Sequence, residues 1–143
     1  MTLTNFTLRL LGLSETIHAW LGVLTTLGVE RREKIARYAE EIAATLARAS
    51  WALTAVSGSP DDTPALRDAI RELGRIAGYV EDIVRTLEDH LDGRKLAGVK
   101  RRLDQLAETQ PMRSAVRRAD DARIEHLLEA EGYFRALADG LRA

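Results

Sequence analysis

Apolar side chains recur every three or four positions through almost the whole chain. That spacing lays them along one face of an α-helix, so the chain reads as an all-α fold. Two segments carry the pattern most regularly. Ile35, Ala39, Ile42, Leu46, Ala49, Leu53 and Val56 alternate by four and three, and so do Leu66, Ile70, Leu73, Ala77, Val80, Val84, Leu87 and Leu91. Each is a seven-residue seam of coiled-coil type. Shorter stripes lie in Leu96, Val99, Leu103 and Leu106, and in Val116, Ile124, Leu127, Leu128, Phe134, Leu137 and Leu141. No strand-like alternation interrupts them. The expected architecture is an up-and-down bundle of four to five helices. It forms one domain over 1–143, with helices at about 3–27, 30–56, 64–91, 94–108 and 111–141 and the last acting as a brace.

A chain of 143 residues buries roughly 68% of the surface it exposes when unfolded, enough for a core that needs no staples. None is on offer, because the sequence has no cysteine. Neither a disulfide nor a thiolate metal site is expected, which suits a reducing cytoplasm. The longest uncharged stretch, Thr16 to Val29, is 14 residues long, short of the roughly 20 that a transmembrane helix needs. Arg9 is the one basic residue near the N-terminus and Glu15 interrupts the apolar run behind it, so no secretory leader is expected and Met1 reads as the start.

The first segment is the most unusual. Leu3, Phe6, Leu10, Leu13, Ile17, Trp20, Leu24 and Leu27 form its stripe, while Leu8, Leu11, Leu21 and Val23 lie off it. Apolar around most of its circumference, this helix should sit centrally or be hidden by a partner. Gly12 is a candidate kink, and Gly28 a candidate left-handed cap at its end. Farther on, Ser57 to Asp62 reads as a loop, Thr63 as an N-cap ahead of Pro64, and Pro111 as a helix boundary.

The net charge of -1 conceals a sorting of charge along the chain. Residues 61–92 hold nine acidic and four basic side chains, whereas residues 94–118 hold eight basic and two acidic. The cations are Arg94, Lys95, Lys100, Arg101, Arg102, Arg113, Arg117 and Arg118. They read either as the complement of the acidic helix or as a patch for an outside anion.

The chemistry-bearing residues do not assemble into a catalytic motif. Glu15 and His18 have the Glu-x-x-His spacing of di-iron bundles, but such sites need the pair twice, and His90 and His126 stand apart. No nucleophile elbow or phosphate loop occurs. The reading is therefore of a protein that is not an enzyme and has no cofactor, metal or small-molecule substrate. Trp20, Trp51, Tyr38 and Tyr79 lie at or beside seam positions and are expected to pack in the core or a groove. Gly74 and Gly78 share a helical face, where another backbone is expected to come close.

The order of parts resembles the four-helix domains of the HeLo and Bell group. An apolar N-terminal helix leads, then the long helix Ile35 to Val56, a loop, the helix Leu66 to Leu91, a tight turn, the basic helix around Lys100, Arg101 and Arg102, and a brace-like helix from Val116 to Leu141. The resemblance implies an immune or cell-death effector that oligomerises. Its first helix (Phe6, Leu10, Leu13, Ile17, Trp20 and Leu24) and its basic patch would then engage a protein partner or an anionic membrane, to which a basic residue contributes about 1 kcal/mol. Two other readings stand beside it. The Tyr133-Phe134-Arg135-Ala136-Leu137 ending is similar to small helical subunits of CRISPR effector complexes, in which the basic segment would contact nucleic-acid phosphates. The long seams also suit an oligomeric scaffold.

Overall fold

The computed structural model describes residues 3–108 and 121–143, apart from the side chains of residues 3, 4, 21, 107 and 108. Among these residues there are six α-helices and no strand: α1 (Leu3–His18), α2 (Leu21–Leu24), α3 (Val29–Gly58), α4 (Thr63–Leu87), α5 (Gly93–Glu108) and α6 (Asp121–Arg142). A 3₁₀ turn, Glu88–His90, joins α4 to the α5 side of the bundle. The part of the expected last helix before residue 121 lies outside the described residues.

α3 is the backbone of the assembly. Its expected seam is buried along its whole length, and Ala36, Ala43 and Ser50, each seven residues from the next, form a second buried line beside it. Two adjacent lines make a face wide enough for two neighbours, and their small side chains let those neighbours approach closely. α4 packs along one side of α3 and α6 along the other. α6 also covers α1, α1 meets α5, and α5 returns to α4, so the helices close a ring. Phe6, Phe134, Leu10, Leu13, Ile17, Ile42, Leu46 and Leu66 are among the fully buried side chains that fill it.

Three of the buried hydroxyls are satisfied locally. Ser14 donates to the Leu11 carbonyl at 2.7 Å, Thr45 to Glu41 at 2.7 Å and Ser50 to Leu46 at 2.8 Å. Each bonds back onto its own helix, so none needs a partner across the core.

Several element ends differ from expectation. The apolar N-terminal segment is not one helix to residue 27. α1 runs straight through Gly12 and stops at His18, and α2 is a single turn. Gly22 favours the unfolded chain, and the Thr25 and Thr26 hydroxyls turn back to the Gly22 and Val23 carbonyls, competing with helical bonding. Backbone bonds there tighten to three-residue spacing, as from Leu27 to Leu24 at 3.1 Å. Gly28 is not left-handed. With φ −61° and ψ 155° it is the extended N-cap of α3. Asp62, not Thr63, caps α4, its carboxylate accepting from the Ala65 amide at 3.1 Å with Pro64 in the first turn. Asp92 caps α5 in the same way, accepting from Lys95 at 2.9 Å.

Two substitutions test α3 as the organising helix. Leu46→Ala should lower the unfolding free energy by about 2–5 kcal/mol, and Ala43→Leu by about 1–3 kcal/mol through overpacking. Both are read as urea midpoint shifts at constant slope. A neutral Ala43→Leu would show that the second line is not tightly packed.

Candidate interaction surfaces

Phe6, Leu10, Leu13, Ile17 and Leu24 are all buried, and Trp20 is half-buried against the core. α1 is not the centre of the bundle, since α3 holds that place. α1 is instead a wall whose apolar stripe is covered mainly by α6. Its off-stripe Leu8 stays 48% exposed. Burying Phe6, Leu10, Leu13 and Ile17 contributes about 6–12 kcal/mol at roughly 1.5–3 kcal/mol for each side chain. This face therefore becomes available only if α1 leaves the bundle. Among the described residues no helix is long and apolar enough to cross a membrane.

Arg94, Lys95, Lys100, Arg101 and Arg102 lie on α5 and are exposed. Arg113, Arg117 and Arg118 fall outside the described residues. The expected pairing of the acidic helix with this basic one is reduced, among the described residues, to Lys100 Nζ on Glu88 Oε1 at 2.8 Å. The α4 carboxylates find cations nearer by. Arg71 meets Asp68, Arg75 meets Glu72, and Arg85 meets Glu81 and Asp82 within one turn, while Arg48 of α3 reaches Glu72 at 3.2 Å. Local i,i+3 and i,i+4 partners are reached at less entropic cost than a neighbouring helix. Arg94, Lys95 and Arg101 have no carboxylate within ion-pair distance among the described residues. Arg94 and Arg101, seven residues apart, share one α5 face.

A second surface departs from expectation. Trp51 is not packed in the core but is 80% exposed on α3, at the side of an open groove. It stands two residues past the seam residue Ala49, about 200° around the helix. Ala52, Ala55 and Ala65 give it a low apolar surround, with Arg48, Asp68 and Glu72 at the edge, and together they line an open groove between α3 and α4. Tyr38 and Tyr79 are half-buried against the core as expected. Gly78 does not carry a close helix contact among the described residues but lines an open cleft with Lys100, Leu103 and Asp104 of α5. Gly74 and Gly78 are both exposed, and a Cβ on Gly78 would meet nothing within 4 Å.

The histidines do not converge. The His18 ring is half-buried edge-on to Tyr133, centroids 5.8 Å apart, and its Nδ1 is buried without a partner. His90 pairs with Arg31, and His126 lies 3.6 Å from Glu129. Among the described residues no three His, Asp or Glu side chains gather as metal ligands would.

One contact had no clear signal in the sequence. Arg142, in the last turn of α6, spans Glu33 with two nitrogens at 2.8 and 3.0 Å and also reaches Glu40, tying the end of α6 to the start of α3. The hydrogen bond from Arg142 holds the Glu33 carboxyl below its ordinary range, and the one from Lys100 does the same for Glu88. A carboxyl so lowered stabilises the fold fully above its unfolded value of about 4.3. That stability is lost as pH falls through the lower folded value. Arg142→Gln and Lys100→Gln should therefore melt below the wild type at neutral pH, with the gap closing as acid is added below about pH 4. Thermal melts across pH check this, and a gap that stays constant into acid would contradict it.

Compared with known proteins, the chain matches no protein-family model, no curated protein and no solved structure.

Proposed function

We propose that the chain is a non-enzymatic helical-bundle adaptor or effector that works through protein contacts, with the Trp51 face of α3 and α4 as its docking surface. The observation that carries this is the exposure of Trp51 on the central, best-supported helix. A tryptophan offers roughly 150–250 Å² of surface. With 80% of that surface exposed, about 25 cal/mol per Å² gives some 3–5 kcal/mol of gross burial energy held in reserve. An exposed ion pair such as Arg48 with Glu72 is worth about 0.2–1 kcal/mol by comparison. The aromatic ring therefore dominates what this face can gain from a partner, and the charged edge sets its orientation. Self-association is the simplest form of such contact and agrees with the oligomeric scaffold suggested by the seams.

A membrane role is the second reading, favoured by Arg94, Lys95 and Arg101 of α5, which have no carboxylate within ion-pair distance among the described residues. The layout likeness to HeLo and Bell domains supports a place in a defence or cell-death pathway. In this reading α5 meets an anionic surface and α1 follows only after release from α6, so a trigger is required.

Light scattering of the wild type should give a mass that rises with concentration, and Trp51→Ser should remain monomeric while melting within about 0.5 kcal/mol of the wild type, as surface changes do. Leakage of anionic vesicles should fall when Arg94, Lys95 and Arg101 are changed to Glu. A wild type that neither associates nor causes leakage would overturn both readings.

A further inference from the structure

Arg9 on α1 and Arg102 on α5 line the same open cleft of about 260 Å³, together with Gly12, Leu13 and Gln105. Several arginines of this chain are placed against carboxylates, as Arg48, Arg85, Arg135 and Arg142 are. Arg9 and Arg102 are not. Among the described residues neither has a carboxylate within ion-pair distance. Arg9 Nη1 donates to the Gln105 carbonyl at 2.7 Å. Arg102 Nη1 donates to the Thr16 hydroxyl and, at 3.4 Å, to the Gly12 carbonyl. A guanidinium has five N–H donors in a planar fork, so among the described residues these neutral acceptors take up only part of each fork. Two like charges are thus aimed at one cleft from opposite walls, each anchored by an uncharged oxygen.

Such an arrangement suits an oxyanion. Forked guanidiniums bind phosphate oxygens two at a time, and the anion would relieve the repulsion between the two cations. Space is available, because a water takes about 30 Å³ and the cleft is several times larger. Gly12 lies three residues from Arg9 on one side of α1 and lines the cleft with it. A Cβ there would meet nothing within 4 Å, so packing does not demand glycine, although mid-helix glycine costs about 0.5–1 kcal/mol relative to alanine. Room for a ligand gives that glycine a purpose.

We propose that the α1/α5 cleft binds a phosphate-class oxyanion between Arg9 and Arg102 and so pins α5 to α1. The benefit falls where the bundle is least well held. Val99 and Leu106 are the fully buried apolar side chains described on α5, with Leu96 and Leu103 half-buried. This inference does not depend on the Trp51 face or on membrane activity.

The test is thermal unfolding of the whole chain in inorganic phosphate against chloride, at matched pH and ionic strength. Phosphate stabilises many proteins through exclusion from their surface, so the comparison between variants is the readout. In the wild type Tm should climb with the logarithm of phosphate concentration, as linkage to a native-state site requires. In Arg9→Gln and Arg102→Gln the apparent affinity should weaken at least tenfold. Gly12→Leu keeps both charges and occupies the space, and should also lose the phosphate-dependent rise while melting normally in chloride. Phosphatidic-acid vesicles in a flotation assay distinguish the source. Capture that depends on Arg9 and Arg102, without a response to inorganic phosphate, assigns the site to a lipid headgroup. Equal phosphate responses in wild type and all three variants, with vesicle capture indifferent to them, would overturn the proposal.

Discussion

Everything in this molecule leans on the double face of α3. A single seam would have joined α3 to one neighbour and produced a hairpin. The second line of Ala36, Ala43 and Ser50 lets α4 and α6 seat side by side on the same helix. Close packing of this kind depends on small side chains as much as on large ones, because interiors are dense and tolerate little excess volume. The remaining helices are placed by this choice: α6 supports α1, and α1 with α4 supports α5.

The attachments grow weaker around the ring. α3 contributes long apolar contacts to both neighbours, and its junction with α6 is fastened again by Arg142 across Glu33 and Glu40. α5, by contrast, combines little buried apolar surface with polar contacts from Arg9, Arg102 and Lys100. Apolar burial is not weakened by charge screening, whereas exposed charge contacts are screened within about 10 Å at 0.1 M ionic strength. The bundle therefore has one side set by packing and another sensitive to ions. Local opening begins where buried contacts are fewest.

Much of this was legible in the residues. The α3 seam is buried where the three-and-four spacing placed it, whereas in α4 Ile70 and Ala77 are half-buried and Ala69, Ile76 and Ile83 are fully buried beside the expected line. Element ends were less legible, because several residues compete to cap each helix. Asp62 outcompeted Thr63 by having its carboxylate in reach of the Ala65 amide, and Gly28 began a helix where it was expected to end one. The exposure of Trp51 was in the sequence all along, in its offset of two from Ala49, but an aromatic residue beside a seam invites assignment to the core. The cleft between Arg9 and Arg102 was not legible. It joins residues more than ninety positions apart, and only the ring closure brings them together.

The covering of α1 by α6 has an effect on how the chain is made. Synthesis delivers the oily helix of residues 3–18 before its main cover, residues 121–142. While the ribosome works through the intervening hundred residues, Phe6, Leu10, Leu13 and Ile17 have nowhere of their own to go. Such long-range pairing slows folding and leaves apolar surface open to aggregation. The apolar stripe of the first helix thus stays without its main cover until residues 121–142 emerge.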